Sequence, residues 1–262
     1  MRIITLLSDF GLQDGYVAQM KGVILERYPN AKIVDISHSI ERHNILMGSF
    51  ILETTVSYFP KGTIHLAVVD PGVGSDRKPI VIECESGLFV GPDNGLMARA
   101  SGKLGFKSVH GIRESSLSMR TISNTFHGRD IFARVAGMLA AGKKLDEIGE
   151  RISELKKLSI APAHVGERKL TCQVLHVDNF GNVITNVEEH QFRKIKNVDE
   201  KVTIRSGKGE FRARLAKSYH ELGPDIVGVL MGSQGYLEIA IRERSAGEEL
   251  DLKPLDELEF RF

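Results

Sequence analysis

The stretch VVDPGVGSDRKP runs from Val68 to Pro79, and places Asp70 and Arg77 seven residues apart on a glycine-rich turn after an apolar run. A strand end that delivers a carboxylate into such a turn is one way to build a site. His127 stands in NTFHGRDIFARV (Asn124–Val135), directly before Gly128, whose lack of a side chain permits close backbone approach. Histidine is the usual base near neutral pH. In a set of these three, Asp70 would orient, Arg77 would position and His127 would accept a proton, but spacing alone does not bring them together. Further acids and histidines occur in SDFGLQDGY, with Asp9 and Asp14, and in DISHSIERHN, with Asp35, His38 and His43. Each acid alone is equally a cap or a turn residue. Three such loops after three strands are more than turn chemistry requires, because ligands of open α/β sheets bind at the carboxyl ends of strands.

A second group lies further along. HVDNFGNVITN contains Asp178, Phe180, Asn182 and Asn186, and MGSQGYLEIAI puts Ser233 and Gln234 in a glycine turn. Each reads by itself as a simple turn. No GxGxxG, P-loop, HExxH or GxSxG is present, which argues against dehydrogenase, kinase, metalloprotease and α/β-hydrolase chemistry.

The elements that must hold these residues follow from periodicity. RIITLLS, AKIVDIS and TIHLAVV read as buried strands. Between them, Tyr16, Val17, Met20, Val23, Ile24 and Tyr28 recur at helical spacing behind Asp14, the expected N-cap, and NILMGSFILETTVSYF reads as a second helix ended by Pro60. This alternation predicts a parallel sheet wound with helices. PIVIEC and GLFVGP are further strands, and Asp130–Leu139 is a helix. Near residue 160 the pattern changes to short alternating stretches with close turns, the mark of a small sandwich or barrel. The expected organisation is an α/β N-terminal domain with a mostly parallel wound sheet over 1–158, a linker at 159–168, and a small all-β, barrel-like C-terminal domain over 169–262.

With 262 residues, 42% hydrophobic and 26% charged, the chain is an ordinary globular sequence. A net charge of +1 gives no electrostatic case for a nucleic-acid partner. No apolar run approaches the roughly 20 residues of a membrane helix, and MRIITLLSDF turns acidic too soon for a signal peptide. Cys84 and Cys172, the only cysteines, lie far apart, so neither a disulfide framework nor a zinc site is indicated and a cytoplasmic location is expected.

Taken together, SDFG..D.YV...KG, DISH.I, VVDPGVGS.R, GPDNGL, TFHGRD, VDNFGNVITN and GS.GYLEIA resemble the S-adenosyl-L-methionine hydroxide adenosyltransferases, relatives of the fluorinase and chlorinase enzymes. The resemblance runs from Arg2 to about Ala240. It implies an α/β domain followed by a barrel-like domain, and a homotrimer whose active sites lie between neighbouring subunits. It implies cleavage of S-adenosyl-L-methionine by water to adenosine and L-methionine, with no metal or cofactor. By resemblance the catalytic set falls on Asp70, Arg77 and His127, and the ribose-binding acid on Asp9. Contacts to the methionine part fall on Asp14, Asp178 and Ser233, and an adenine contact on Asn182, with Phe180 counted among the substrate-binding residues. His43 occupies a position where the halogenases carry an aromatic residue over the ribose. After YLEIAI the chain reads RERSAGEEL, with Arg242 and Glu243 where relatives often show asparagine, glycine and alanine.

These residue types suit that reaction. A carboxylate accepts from both ribose hydroxyls, and charge-assisted pairing to the substrate ammonium is the stronger kind of hydrogen bond. The leaving group is a neutral thioether, so no general acid is needed. His127 is the natural proton acceptor; Arg77 can instead stabilise a hydroxide-like water. An ionised Asp70 would repel halide, and only ten residues separate Arg77 from Leu88, where the halogenases carry a long insertion. The alternative is a module that binds or senses S-adenosylmethionine or adenosine without turnover.

Overall fold

The computed structural model describes residues 2–117, 121–195 and 200–262. The chain divides into two compact units, Met1–Leu158 and Ser159–Phe262.

In the first unit the strands are β1 (Ile3–Ser8), β2 (Lys32–Ser37), β3 (Thr63–Val68), β4 (Pro79–Cys84), β5 (Gly87–Pro92), β6 (Phe106–Ile112) and β7 (Gly149–Ile152). They form one sheet in the order β2-β1-β3-β5-β4-β6-β7. The first four are mutually parallel, as the alternation of strands and helices predicts. The far edge is antiparallel, because only Glu85 and Ser86 join β4 to β5, and so short a connection must reverse the chain. Helices α1 (Tyr16–Arg27), α2 (Ile45–Thr55), α3 (Ala98–Lys103) and α4 (Arg134–Ala140) cover both faces. On one face Ile4, Leu6, Ile64 and Leu66 pack against Met20 and Ile24 of α1 and Val135 and Leu139 of α4. On the other, Leu7, Ala67 and Phe89 meet Leu52 of α2 and Ala100 of α3. Burial on both faces is why β3 is apolar almost throughout.

Two local expectations change. Asp14 is not the N-cap of α1: the helix starts at Tyr16, Gly15 takes the cap position, and no side chain bonds there. Asp14 lies one residue too early and remains exposed. By contrast, Asn44 caps α2 by accepting from the Met47 N–H at 2.9 Å. The helix expected over Asp130–Leu139 begins two residues earlier, as a π-helical turn over Gly128–Ala133 that runs into α4.

The second unit contains β8 (His164–Val165), β9 (Lys169–Val177), β10 (Val183–Glu188), β11 (Lys201–Ser206), β12 (Gly209–Leu215), β13 (Val227–Met231), β14 (Tyr236–Ile241) and β15 (Glu257–Arg261). Seven of these, β9-β15-β11-β12-β13-β14-β10, form a barrel closed by the β10–β9 pairing. Only β12–β13 is parallel among its pairs. Alternate residues such as Leu170, Val174, Ile204, Val229, Ile239 and Phe260 fill the interior, and closure leaves no open edge. The stretch read as a linker carries β8, which pairs with the start of β9. Cys84 and Cys172 are free and buried. No helix among the described residues is long and apolar enough to cross a membrane.

Candidate active site

Asp70 follows the end of β3, and its loop is folded by its own backbone. The Val73 N–H donates to the Asp70 carbonyl at 3.2 Å, and the Ser75 N–H and hydroxyl both donate to the Gly72 carbonyl. Gly74, at φ +77°, lies so near the Asn124 carbonyl that a Cβ would stand 2.8 Å from it. That close approach brings the Asp70 loop against the segment leading to His127.

There the three residues meet. Arg77 Nε donates to both oxygens of Asp70 at 2.9 and 3.0 Å, and its Nη2 donates to Oδ2 at 2.5 Å. Both side chains are only 6% exposed, so the pair is a nearly buried fork. The same Nη2 lies 2.7 Å from His127 Nδ1. A guanidinium has only donors, so Nδ1 accepts and neutral His127 carries its proton on Nε2. Burial, and then the Arg77 charge beside it, hold the His127 pKa below the ordinary histidine value, against the pull of Asp70, Glu114 and Asp130. Phe132 lies beneath the guanidinium, 5.1 Å from ring centroid to Cζ. A cavity of about 580 Å³, lined among others by Ser75, Glu114, Thr121, Asn124 and His127, opens onto the cluster.

Asp9 follows β1, and its Oδ2 accepts from the His43 N–H at 2.9 Å. His43 is exposed and adopts a left-handed backbone at φ 65°. Asp14 is exposed in the same loop as Asp9.

In the barrel unit, Asp178 ties the β9–β10 turn. Its Oδ1 accepts from the N–H groups of Phe180 and Asn182, both at 2.9 Å, and its Oδ2 from Asn182 Nδ2 at 3.0 Å. The plain hairpin reading of this turn is therefore correct as structure. Gly181, at φ 84° against Ser245, permits it, and the Phe180 ring stands 80% exposed. Ser233 is exposed on the turn between β13 and β14. Close by, Tyr219 donates to the buried Glu238, whose carboxyl is pushed up by burial, with Asp178 adding to the rise. Glu243 is left-handed at φ 59°, a conformation that suits glycine or asparagine better than glutamate.

Some supporting residues were not singled out from the sequence. Asn94 Nδ2 donates to the Val69 carbonyl at 2.8 Å, bracing the chain just before Asp70. Its place in GPDNGL was visible, but its partner was not. His38 is among the histidines expected at the strand ends, but its bond to Ser8, like the place of the Phe132 ring beneath Arg77, carried no signal in the sequence.

Fold and site together define a two-unit protein, an α/β layer followed by a β-barrel, with an Asp–Arg–His cluster at the carboxyl end of the parallel strands. The chain belongs to the SAM hydroxide adenosyltransferase family: residues 4–149 match the family's N-terminal domain and 172–259 its C-terminal domain. It is 40% identical over 268 residues to a Methanocaldococcus jannaschii protein named (R)-S-adenosyl-L-methionine hydrolase, covering 99% of this chain and 96% of that one. A Nocardia brasiliensis fluorinase is more distant, at 24% identity over 96% of this chain and 94% of its own. The crystal structure of an uncharacterized conserved protein from Thermotoga maritima superposes with a TM-score of 0.92 at 36% identity, covering 99% of this chain and all of that one.

Proposed function

We propose that this protein hydrolyses S-adenosyl-L-methionine by attack of water at C5′, giving adenosine and L-methionine. The observation that carries the reading is the Asp70–Arg77–His127 cluster, held at a strand end beside a cavity in a member of this family. The new bond joins the water oxygen to C5′, and the C5′–S bond breaks with its electron pair going to sulfur. The sulfonium becomes a neutral thioether, one proton of the attacking water stays on the new 5′-hydroxyl, and the other passes to solvent water. The electrophile already carries positive charge, so the reaction needs no metal or cofactor.

In this reading Arg77 and the His127 Nε2–H are donors to a hydroxide-like oxygen. His127 is then not the general base expected of a lone histidine, because Arg77 occupies Nδ1 and Nε2 carries the proton. Asp70 fixes the guanidinium plane. Fixed donors aimed at a developing charge are among the strongest devices available to an enzyme. Asp9 receives the ribose hydroxyls, with His43 beside it. Asp14, Asp178 and Ser233 serve the methionine part and Asn182 the adenine, with Phe180 among the substrate-binding residues. We read the assembly as a cytoplasmic homotrimer whose sites are shared between neighbouring chains, since neither unit alone carries every one of these groups.

Incubation with S-adenosyl-L-methionine in ¹⁸O-water tests this, followed by chromatography and mass spectrometry. Adenosine labelled at its 5′-oxygen and unlabelled methionine are expected, and both sulfonium epimers should be assayed because the relatives' name specifies the (R) form. Adenine as product would place the attack at C1′ instead. A 5′-halo-adenosine formed from added chloride or fluoride as fast as adenosine would make the nucleophile halide. Tight binding with no product would favour a sensor.

A further inference from the structure

Ser8 immediately precedes Asp9 and is fully buried at the end of β1. Its Oγ lies 2.7 Å from Nδ1 of His38, which follows β2 and is 4% exposed. The Phe10 N–H points at the same Oγ at 3.4 Å. His38 Nε2 faces the acceptor-only carboxylate of Asp35, so a neutral ring keeps its proton there, Nδ1 accepts and the Ser8 hydroxyl donates to it. The His38 proton is then on Nε2, 3.2 Å from Asp35 Oδ1 but too poorly aligned for a full hydrogen bond. Asp35 in turn accepts from Lys21 Nζ at 2.6 Å. A polar chain thus runs from the surface to the residue beside Asp9.

Two further ties run alongside it. The Gly11 N–H donates to the His38 carbonyl at 2.9 Å, and the His43 N–H donates to Asp9 Oδ2 at 2.9 Å. Asp9 is therefore held before it by Ser8, after it by Gly11, and at its carboxylate by His43. All three ties end on the segment 38–43. The reaction proposed above gives Ser8 and His38 no chemical step, yet a buried serine–histidine pair in an otherwise apolar strand end costs desolvation. Apolar residues would fill that space without the cost.

We propose that Ser8 and His38 are positioning residues that hold Asp9 ready for a vicinal diol, and so set the selectivity for a ribose over a deoxygenated sugar. The inference rests on Asp9 being the ribose-binding group. Its signature is specific: losing the pair weakens recognition of the two hydroxyls and leaves the contacts to the base in place.

Calorimetry on the full chain with adenosine and with 2′,3′-dideoxyadenosine reads this as a ratio of affinities. Asp9→Ala is expected to abolish the preference for adenosine. Ser8→Ala and His38→Ala are each expected to reduce it about 2- to 10-fold, the weight of one hydrogen bond. His38→Asn, whose carboxamide oxygen takes the place of Nδ1 as acceptor, should keep most of it. If Asp9→Ala leaves the preference intact, the ribose assignment fails and this inference fails with it. If Asp9→Ala abolishes the preference while Ser8→Ala and His38→Ala retain it, the positioning role alone is overturned. The same holds if those two variants weaken both ligands equally, as mere packing residues would.

Discussion

One terminal nitrogen of Arg77 serves two acceptors, Asp70 and His127, and this makes the cluster a unit. Arg77→Lys keeps the charge but loses the fork, and in the proposed reaction His127→Ala loses a donor aimed at the nucleophile. Each should lower turnover by about 10²-fold or more with little change in substrate affinity, measured as kcat against KM. The acid limb of the pH profile reports the same contact. Protonating His127 puts a hydrogen on Nδ1 and breaks the bond from Arg77. Burial and the Arg77 charge hold that pKa below the usual value of 6.5. Activity should therefore persist as pH falls through 6.5 and be lost only at lower pH. An acid limb at or above the ordinary histidine value would contradict the tautomer assigned to His127.

Elements determine whether these residues meet at all. Gly74→Ala puts a Cβ against the Asn124 carbonyl in a left-handed backbone. It should cost about 1–3 kcal/mol of stability and lower kcat, because it displaces the segment that carries His127. Gly142→Ala has a comparable backbone conformation, at φ +102°, with nothing within 4 Å. It should cost stability without touching kcat, and equal kcat losses in the two variants would contradict the packing argument. Strand β3 makes a separate prediction. His65 is buried between Phe59 and Phe89, accepts or donates to Thr5 at 2.8 Å, and has its pKa pushed down to about 4 by burial. The unfolded chain takes up that proton near pH 6.5 and the folded chain only near 4. Stability is thus full above 6.5 and falls as pH drops, by about 3 kcal/mol in all. Urea denaturation at pH 7 and pH 4 should show a smaller difference in His65→Gln than in the wild type. His127 and His176, and the carboxyls of Asp35 and Asp130, are also held below their ordinary values and add slope of the same sign.

At the scale of the whole molecule the prediction is a trimer of about 87 kDa, three times 29.0 kDa. Closed rings are one of the common forms of homo-oligomer. Light scattering at activity-assay concentrations checks it, and a stable, fully active monomer would remove the shared-site reading.

The sequence by itself determined the class of fold and singled out Asp70, Arg77 and His127, the three residues that the structure brings together. The buried strands and amphipathic helices of the first unit write their periods into the chain, and Asp70, Arg77 and His127 sit on loops whose glycines announce them. Asp178, Phe180 and Asn182 were legible as a turn because turn chemistry is local. Only the tertiary structure decided what depends on contact between distant segments. The Arg77 hydrogen bond to Nδ1, which fixes the His127 tautomer, spans fifty residues. The Ser8–His38 bond spans thirty, and the Asn94 brace on Val69 twenty-five. The Asp14 cap failed for the opposite reason: a one-residue shift in where α1 starts moves a side chain beyond reach of the free N–H groups. A sequence records which groups are present and the period of each element, but hydrogen-bond direction is set by geometry at a few tenths of an ångström, and that arises only when the elements pack.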